Sequence, residues 1–400
     1  MKDEKKYPDA VVTACGSYSP SETELSLRKA LSLLGGPERF FVPGSKVFLK
    51  PNLLSPSPPE KAVTTHPSVF GALCSILKES GVNIYYGDSP AISNLKKASE
   101  VSGLAREAEK YGVFRSDFKT CEKIISPETG IVYNTVKCIK DYDFIISLPK
   151  FKTHELMKIT CCVKNQLGLV AGLSKAGMHV RFPGPESFAE MLIDLNRIVS
   201  PSLYIVDAVV SMEGNGPNNG TPFKTGAIIA GTNPFACNAA ACRLINLDPE
   251  FVPVMKKARE AGIDKGNYRI SYSGMREDES FPSFRISRTK TGMPGLSSLI
   301  NFLPGAAGRA VRNRIINRPV ISDKKCKRCG ICTDICPVEP KALRKGKNSS
   351  PPVFDYSKCI RCYCCQETCP HNAIKSERPS LGKILSLVSR IKNRILPAGN

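Results

Sequence analysis

The sequence has no tryptophan and only four histidines among its 400 residues, and aromatic residues make up 7% of it. Without Trp and without a basic run interleaved with aromatics, the signature of an RNP motif is missing, as is a helix-turn-helix, so nucleic acid is not expected as a partner. Four histidines lacking HxxxH or HExxH spacing exclude a zincin-type centre, and leave only a metal assembled from distant residues such as His66, His154 and Asp88. No apolar run approaches the ~20 residues of a membrane-spanning helix. The start, Met-Lys-Asp-Glu-Lys-Lys-Tyr-Pro, offers no apolar stretch for a signal peptide, which makes the cytoplasm the expected compartment. There is no GxxxxGK[ST] loop. The run Gly214-Asn-Gly216-Pro217-Asn-Asn-Gly220 misplaces the third glycine of a dinucleotide fingerprint and precedes a strand pattern, so a dinucleotide cofactor is not expected either.

What the chain has in quantity is cysteine, seventeen in all, and eight of these fall in two runs of identical spacing. Cys326, Cys329, Cys332, Cys336 and Pro337 repeat as Cys359, Cys362, Cys365, Cys369 and Pro370, the C-x2-C-x2-C-x3-C-P run of bacterial two-cluster ferredoxins. Three close thiolates wrap three corners of an iron–sulfur cube, and the fourth crosses to the other cube. Cluster one is thus expected to take Cys326, Cys329, Cys332 and Cys369, and cluster two Cys359, Cys362, Cys365 and Cys336. A lone CxxC pair leaves zinc or a redox dithiol open; the doubled register favours two [4Fe-4S] clusters. Cys364 lies out of register and reads as a spare buried thiol.

The formal net charge of +21 is uneven: residues 1–255 hold 28 Lys/Arg against 25 Asp/Glu, and residues 256–400 hold 29 against 11. Two oxidised clusters at about −2 each offset only part of that C-terminal excess. A basic surface remains, suited to an acidic redox partner protein or an anionic membrane.

From Ser45 onward, short β-branched runs alternate with longer helical patterns, which predicts an α/β domain with a mainly parallel sheet and flanking helices. Strands are expected at 46–50, 82–87, 143–148, 203–207 and 225–230, and helices at 67–80, 94–111, 155–166, 186–198, 234–245 and 250–261. Residues 9–15 add an edge strand and 22–34 a helix. The organisation expected is an α/β domain over 1–264, an irregular basic linker over 265–322, a small α+β ferredoxin-like domain over 323–377, and a basic amphipathic tail helix over 378–400. In that tail Leu381, Ile384, Leu385, Val388, Ile391 and Ile395 share a face. Such a helix either packs on the protein or makes peripheral contact with an anionic membrane. Residues 296–316 mix apolar positions with Arg309, Arg312 and Arg314 in a similar way.

Ligands in open α/β sheets bind beyond the carboxyl ends of the strands, and each expected strand ends in polar groups. Lys50 and Asn52 follow the first, Asp88 and Ser89 the second, and Lys150, Lys152 and His154 the third. Turn chemistry accounts for Pro51 and Gly87 but not for three basic groups within five residues. Read as a helix, 155–166 brings His154, Lys158, Cys161 or Cys162, and Asn165 to one side. Lysines and amides converging there suit a small anionic substrate; a solvated basic face is the alternative.

Lys50-Pro-Asn52, Thr65-His66-Pro67, Gly87-Asp88-Ser89, Pro149-Lys150-Phe-Lys152-Thr153-His154, Lys164-Asn165 with Gly168, and Asp207 with Glu213-Gly-Asn-Gly-Pro217 resemble the family known as domain of unknown function 362 over roughly residues 45–250. Members often carry a ferredoxin-type extension like this one. The resemblance implies no assigned reaction. One departure is Asn238, where the family pattern leads one to expect an acidic residue.

The function expected is that of an iron–sulfur oxidoreductase passing low-potential electrons between a redox partner and an unidentified anionic substrate. His154, Lys152 and Lys150 are the candidate catalytic groups, and Lys50, Asn52, Asp88, Ser89 and Asn165 the candidate binding groups. The alternative is a non-enzymatic electron carrier or an assembly or scaffold subunit.

Overall fold

The computed structural model describes residues 6–91, 93–172, 174–286, 313–346 and 350–380. The described residues divide into two compact units, 6–178 with 184–286 and 179–183 with 313–380.

In the first unit, chain order runs β1 (Ala10–Ala14), α1 (Pro20–Leu33), β2 (Lys46–Pro51), α2 (Pro67–Glu79), β3 (Asn83–Tyr86), α3 (Leu95–Val101), α4 (Leu104–Lys110) and β4 (Phe114–Arg115). It continues through a hairpin, β5 (Cys121–Ile125) and β6 (Val132–Val136), then β7 (Phe144–Leu148), β8 (Lys150–His154), β9 (Lys158–Thr160), α5 (Cys162–Asn165), α6 (Ser174–Arg181) and α7 (Pro185–Val199). Last come β10 (Leu203–Glu213), β11 (Thr221–Gly231), α8 (Pro234–Leu244), α9 (Pro253–Glu260) and β12 (Ile270–Ser273). One sheet has the order β12-β1-β11-β10-β7-β2-β3-β4, with β8 and β9 extending it beside β10. Six of its nine pairings are parallel, so the expected mainly parallel α/β fold is what forms.

The strands read as near-continuous apolar runs because both faces are covered. Val47, Leu49, Ile146, Leu148 and Ile205 pack into one core with Leu27, Leu31, Phe70 and Leu73 of α1 and α2. Alternate residues such as Phe48, Ile145, Tyr204 and Val206 are equally buried, and α5, α7, α8 and α9 pack among themselves apart from α1 and α2. From β2 the chain steps outward through β3 to β4, then returns to place β7 on the other side of β2. The carboxyl ends of β2 and β7 are therefore the topological switch point, where a crevice opens in folds of this kind.

Three local expectations change. The expected helix over 155–166 is instead the hairpin of β8 and β9 followed by the single turn α5. His154 and Lys158 are direct cross-strand partners rather than helix neighbours. The physical reason is tertiary: β10 runs to Glu213, and Lys150 and Lys152 register against its Asp207 and Met212, so pairing overrides a coincidental four-residue spacing. The strand at 10–14 is not an edge, since β11 and β12 flank it. The helix over 94–111 is broken at Gly103, whose φ of 80° is left-handed, and which separates α3 from α4.

The second unit contains β13 (Arg318–Ile321), α10 (Ile331–Asp334), β14 (Leu343–Arg344), β15 (Val353–Phe354), α11 (Cys364–Glu367) and β16 (Ile374–Glu377). β13 pairs antiparallel with β16, and β14 with β15. The stretch expected as a linker thus carries β12 and β13 at its described ends, and residues 281–286 dress the α/β unit, Phe284 stacking on Phe151. Residues 381–400, the body of the amphipathic tail, and most of 296–316 lie outside the described residues.

Candidate functional site

Lys50, last but one in β2, pairs with Ser147 of β7, at the switch point. Its ammonium is fully buried and lies 3.0 Å from Asp88 Oδ1. Asp88, just past β3, also accepts the Leu53 N–H at 2.6 Å on Oδ2 and the Ser89 N–H at 2.9 Å on Oδ1. Asn165 ties this pair to the strands: its Oδ1 accepts from Lys50 Nζ at 3.2 Å and from Asn52 Nδ2 at 3.3 Å. Its Nδ2 donates to the Lys50 carbonyl and to Ser147 Oγ. Asn52 Oδ1 in turn accepts from Lys152 Nζ at 2.7 Å, and Lys152 also donates to the Val63 carbonyl. Lys50, Asn52, Asp88, Lys152 and Asn165 thus form one continuous hydrogen-bonded chain, with Ser89 at its rim.

Gly168 shows why the turn after α5 has no side chain. A Cβ there would sit 1.9 Å from Asp88 Oδ1 and 2.4 Å from Lys50 Nζ, so the backbone lies directly on the ion pair. Its carbonyl accepts the Ser89 N–H at 3.0 Å.

Lys150 belongs to a second cluster. Its Nζ lies 2.9 Å from Asp207 Oδ2 and donates to the Tyr18 hydroxyl at 2.6 Å, while Tyr18 donates to Asp207 Oδ1 at 2.7 Å. His66 stacks on Tyr18 with ring centroids 3.5 Å apart, and its backbone N–H donates to Asp207 Oδ2. Thr65 ties Asn52 to the end of β7: its Oγ1 accepts from the Asn52 N–H and donates to the Leu148 carbonyl. His154 is fully buried, and its Nδ1 accepts the N–H groups of Leu156 and Met157 at 3.1 Å. In the neutral ring the proton is therefore on Nε2.

Burial pulls the Lys50 and Lys150 amines below the ordinary lysine range, opposed by Asp88 and Asp207 respectively. Burial also pushes the Tyr18 hydroxyl well up, with Asp207 adding to it. His66 is lowered from 6.5 to about 4, chiefly by burial, with Asp207 opposing and Lys150 assisting. No three His, Cys, Asp or Glu side chains among the described residues surround a point where a single metal ion could sit. His66 is committed to Tyr18 and the α2 N-cap, and Asn238 Oδ1 accepts the Cys162 N–H at 3.0 Å.

In the second unit, Cys326, Cys329, Cys332 and Cys369 line one cavity, and Cys336, Cys359, Cys362 and Cys365 line another. The two sets are those the spacing predicts, each taking one cysteine from the other run. Burial, and then the neighbouring Cys369, Cys329 and Cys326, push the Cys332 thiol up. Thiols around a cube are held wider apart than thiols on one ion. The backbone repeats too: Arg328 and Gly330 flank Cys329, and Arg361 and Tyr363 flank Cys362, all with left-handed φ. Backbone N–H groups of Arg328 and Ala373 point at Cys326 and Cys369 Sγ, each at 3.4 Å. Amides turned toward sulfur are what an anionic cluster needs.

Tyr18, Thr65 and Asp207 belong to these networks without having been named as candidate site residues. Thr65 and Asp207 stood in the quoted motifs, whereas Tyr18 reaches the site from a loop before α1 and carried no local signal.

A mainly parallel α/β domain with buried lysines at its switch point, followed by a module that holds two [4Fe-4S] clusters, defines the class of protein. Residues 47–243 match the family model described as Domain of unknown function (DUF362), and residues 318–370 that of a 4Fe-4S dicluster domain. Over 250 residues the chain is 32% identical to the thylakoid-associated protein sll1697 of Synechocystis sp., covering 62% of this chain and 78% of that relative. The chain belongs to the DUF362 family. Two solved structures are distantly similar: the lactate racemase apoprotein of Thermoanaerobacterium thermosaccharolyticum (12% identity, TM-score 0.38, 59% of this chain) and a Thermotoga maritima protein from a structural genomics programme (13%, 0.35, 56%). The match spans 56% and 58% of those two chains.

Two outcomes follow from the buried charges. Asp88→Asn leaves the Lys50 ammonium buried without its counter-charge, which costs about 3–5 kcal/mol in denaturant unfolding; an unchanged midpoint contradicts the pairing. For His66 the unfolded state binds a proton that the folded state refuses between about 6.5 and about 4, so its contribution is complete above 6.5 and lost as pH falls. His66→Asn, which keeps an N-cap acceptor, shows less of this loss, by on the order of 2 kcal/mol at pH 4.

Proposed function

We propose that this protein is an iron–sulfur oxidoreductase whose α/β unit binds a small anionic substrate at the switch point and whose C-terminal module exchanges electrons with a redox partner. The observation that carries the reading is the hydrogen-bonded chain Lys50–Asn165–Asn52–Lys152, assembled from three separate stretches where ligands bind in this fold class. Cys326, Cys329, Cys332 and Cys369 would hold one cluster and Cys336, Cys359, Cys362 and Cys365 the other. When bound, the clusters supply one-electron chemistry anywhere within about −700 to +450 mV. In this reading Lys152, Lys150 and Lys50 hold negative charge, Asn52 and Ser89 orient the substrate, and His154 gives a proton from Nε2.

A second reading has an observation in its favour. The Lys50 and Lys150 charges are matched internally by Asp88 and Asp207, as they would be in a carrier or scaffold where the polar network only fixes the fold. Lys152→Ala separates the two: an enzyme loses its reductive activity in anaerobic cell extract by more than about 100-fold while keeping both clusters, and a carrier loses nothing.

The redox partner is proposed to be acidic and to dock over the cavity lined by Cys329. That cysteine is exposed, and exposed Lys324, Lys325, Lys327 and Arg328 surround it, whereas the other cavity is lined by Leu343, Phe354 and Ile360. The basic sequence of 381–400 suits peripheral contact of a cytoplasmic protein with an anionic membrane, in keeping with the thylakoid-associated name of one relative.

Anaerobically purified protein is expected to be brown, with about eight irons and eight acid-labile sulfides per chain; stoichiometric zinc with no sulfide overturns the redox reading. Lys324→Glu with Lys327→Glu should slow electron exchange with an acidic ferredoxin or flavodoxin about tenfold at low salt and little at high salt. Equal rates at low salt would place the partner elsewhere.

A further inference from the structure

The two cysteine runs set equivalent residues around the two cavities, and the walls differ at three of those positions. Arg328 and Arg361 are common to both runs. Arg328 is held by the Cys326 carbonyl and Asp323, and Arg361 by the Asn317 carbonyl and Asn313 Oδ1. The differences are Lys327 against Ile360, Gly330 against Tyr363, and His371 against Val338. Because the fourth cysteine of each run crosses over, His371 joins Lys327 and Gly330 around the first cavity, and Val338 joins Ile360 and Tyr363 around the second.

All three differences act in one direction. At the first cavity Lys327 and His371 are exposed and polar, and Gly330 adds no side chain. Solvent reaches the thiols there: Cys329 is exposed and Cys326 half-buried, whereas their equivalents Cys362 and Cys359 are buried. At the second cavity Ile360 and Val338 are apolar, and the buried Tyr363 ring fills the place that Gly330 leaves open. Tyr363 takes a φ of 62°, a left-handed backbone that glycine adopts freely and a bulky residue does not. Its hydroxyl accepts from Ser376 Oγ at 3.2 Å.

From this comparison we infer that the two cluster sites are electrically unequal: the first electron taken up resides in the site of Cys326, Cys329, Cys332 and Cys369, and Lys327 is a main determinant of that order. Reduction takes one electron from a one-electron donor, makes or breaks no bond, and carries a cluster with its thiolates from about −2 to about −3. The added negative charge is favoured by water and a nearby cation and disfavoured by a dry apolar wall. The equivalent arginines contribute to both sites, so the difference falls to Lys327, His371 and Gly330 against Ile360, Val338 and Tyr363. The inference goes beyond the proposed function, since it needs only that the module hold two clusters and not that a substrate meet the lysine network.

The test is a potentiometric titration of the anaerobically purified full chain with viologen mediators, followed by electron paramagnetic resonance. Two one-electron waves are expected, at least tenfold apart in reduction equilibrium, which is about 59 mV. Repulsion between two reduced clusters also separates waves, so the assignment rests on which wave each substitution moves. Lys327→Ile should lower only the higher wave, by about threefold in its equilibrium, and Lys327→Arg should leave it in place. Ile360→Lys should raise only the lower wave, and the double exchange should narrow the gap. Should Lys327→Ile lose iron, Lys327→Gln, which removes the charge alone, must shift the same wave. Waves closer than tenfold, or a Lys327 variant that moves the lower wave or neither, would overturn the inference and leave the proposed oxidoreductase standing. A protein with no iron and sulfide would sink both.

Discussion

Everything at the switch point depends on a lysine ammonium buried against a carboxylate. A charge taken out of water costs several kcal/mol unless it is paired and its remaining hydrogen bonds are met, and Lys50 and Lys150 meet that condition in the same way. Lys50 lies near the carboxyl end of β2 and Lys150 opens β8 just past the end of β7; each faces one aspartate, and each is given a second polar partner, Asn165 or Tyr18. The aspartates are in turn fixed by backbone N–H groups from Leu53, Ser89 and His66. Such a network is costly to build and rigid once complete. Its rigidity lets segments about 100 residues apart in sequence, such as Asn52 and Lys152, hold one geometry.

The same logic governs the C-terminal module. Eight thiols gathered in a small volume repel as thiolates, and the sheets β13–β16 and β14–β15 are too short to hold them there unaided. The cavities and the inward-turned amides account for how the module accommodates two anionic clusters. Arg328 and Arg361, at equivalent positions in the two runs, both take left-handed backbone, so the same local turn is built beside each cysteine run.

The eight cysteines were fully legible, because the cluster imposes its spacing on the chain whatever surrounds it. The alternating pattern was also legible, since buried strands and amphipathic helices differ in period. The hairpin of β8 and β9 was not. His154, Lys158 and Asn165 satisfy helical spacing by coincidence, and only the length of β10 decides that the segment pairs instead. Lys50, Asn52, Asp88 and Lys152, drawn together from strand ends, and Asn165, drawn in by helical spacing, meet in one hydrogen-bonded chain. Lys150 bonds instead to Tyr18, 132 residues away in a loop, and pairing at that separation leaves no periodic trace.

The central claim, that electrons from the clusters reach a substrate held by the lysine network, is tested most directly in a single turnover. Reduced protein is mixed anaerobically with the low-molecular-weight fraction of a cell extract, and the electron paramagnetic resonance of the clusters is followed. The account predicts that the signal decays in the parent protein and persists in Lys152→Ala, with equal starting intensity in both. Decay at the same rate in both proteins, or in neither, would contradict it.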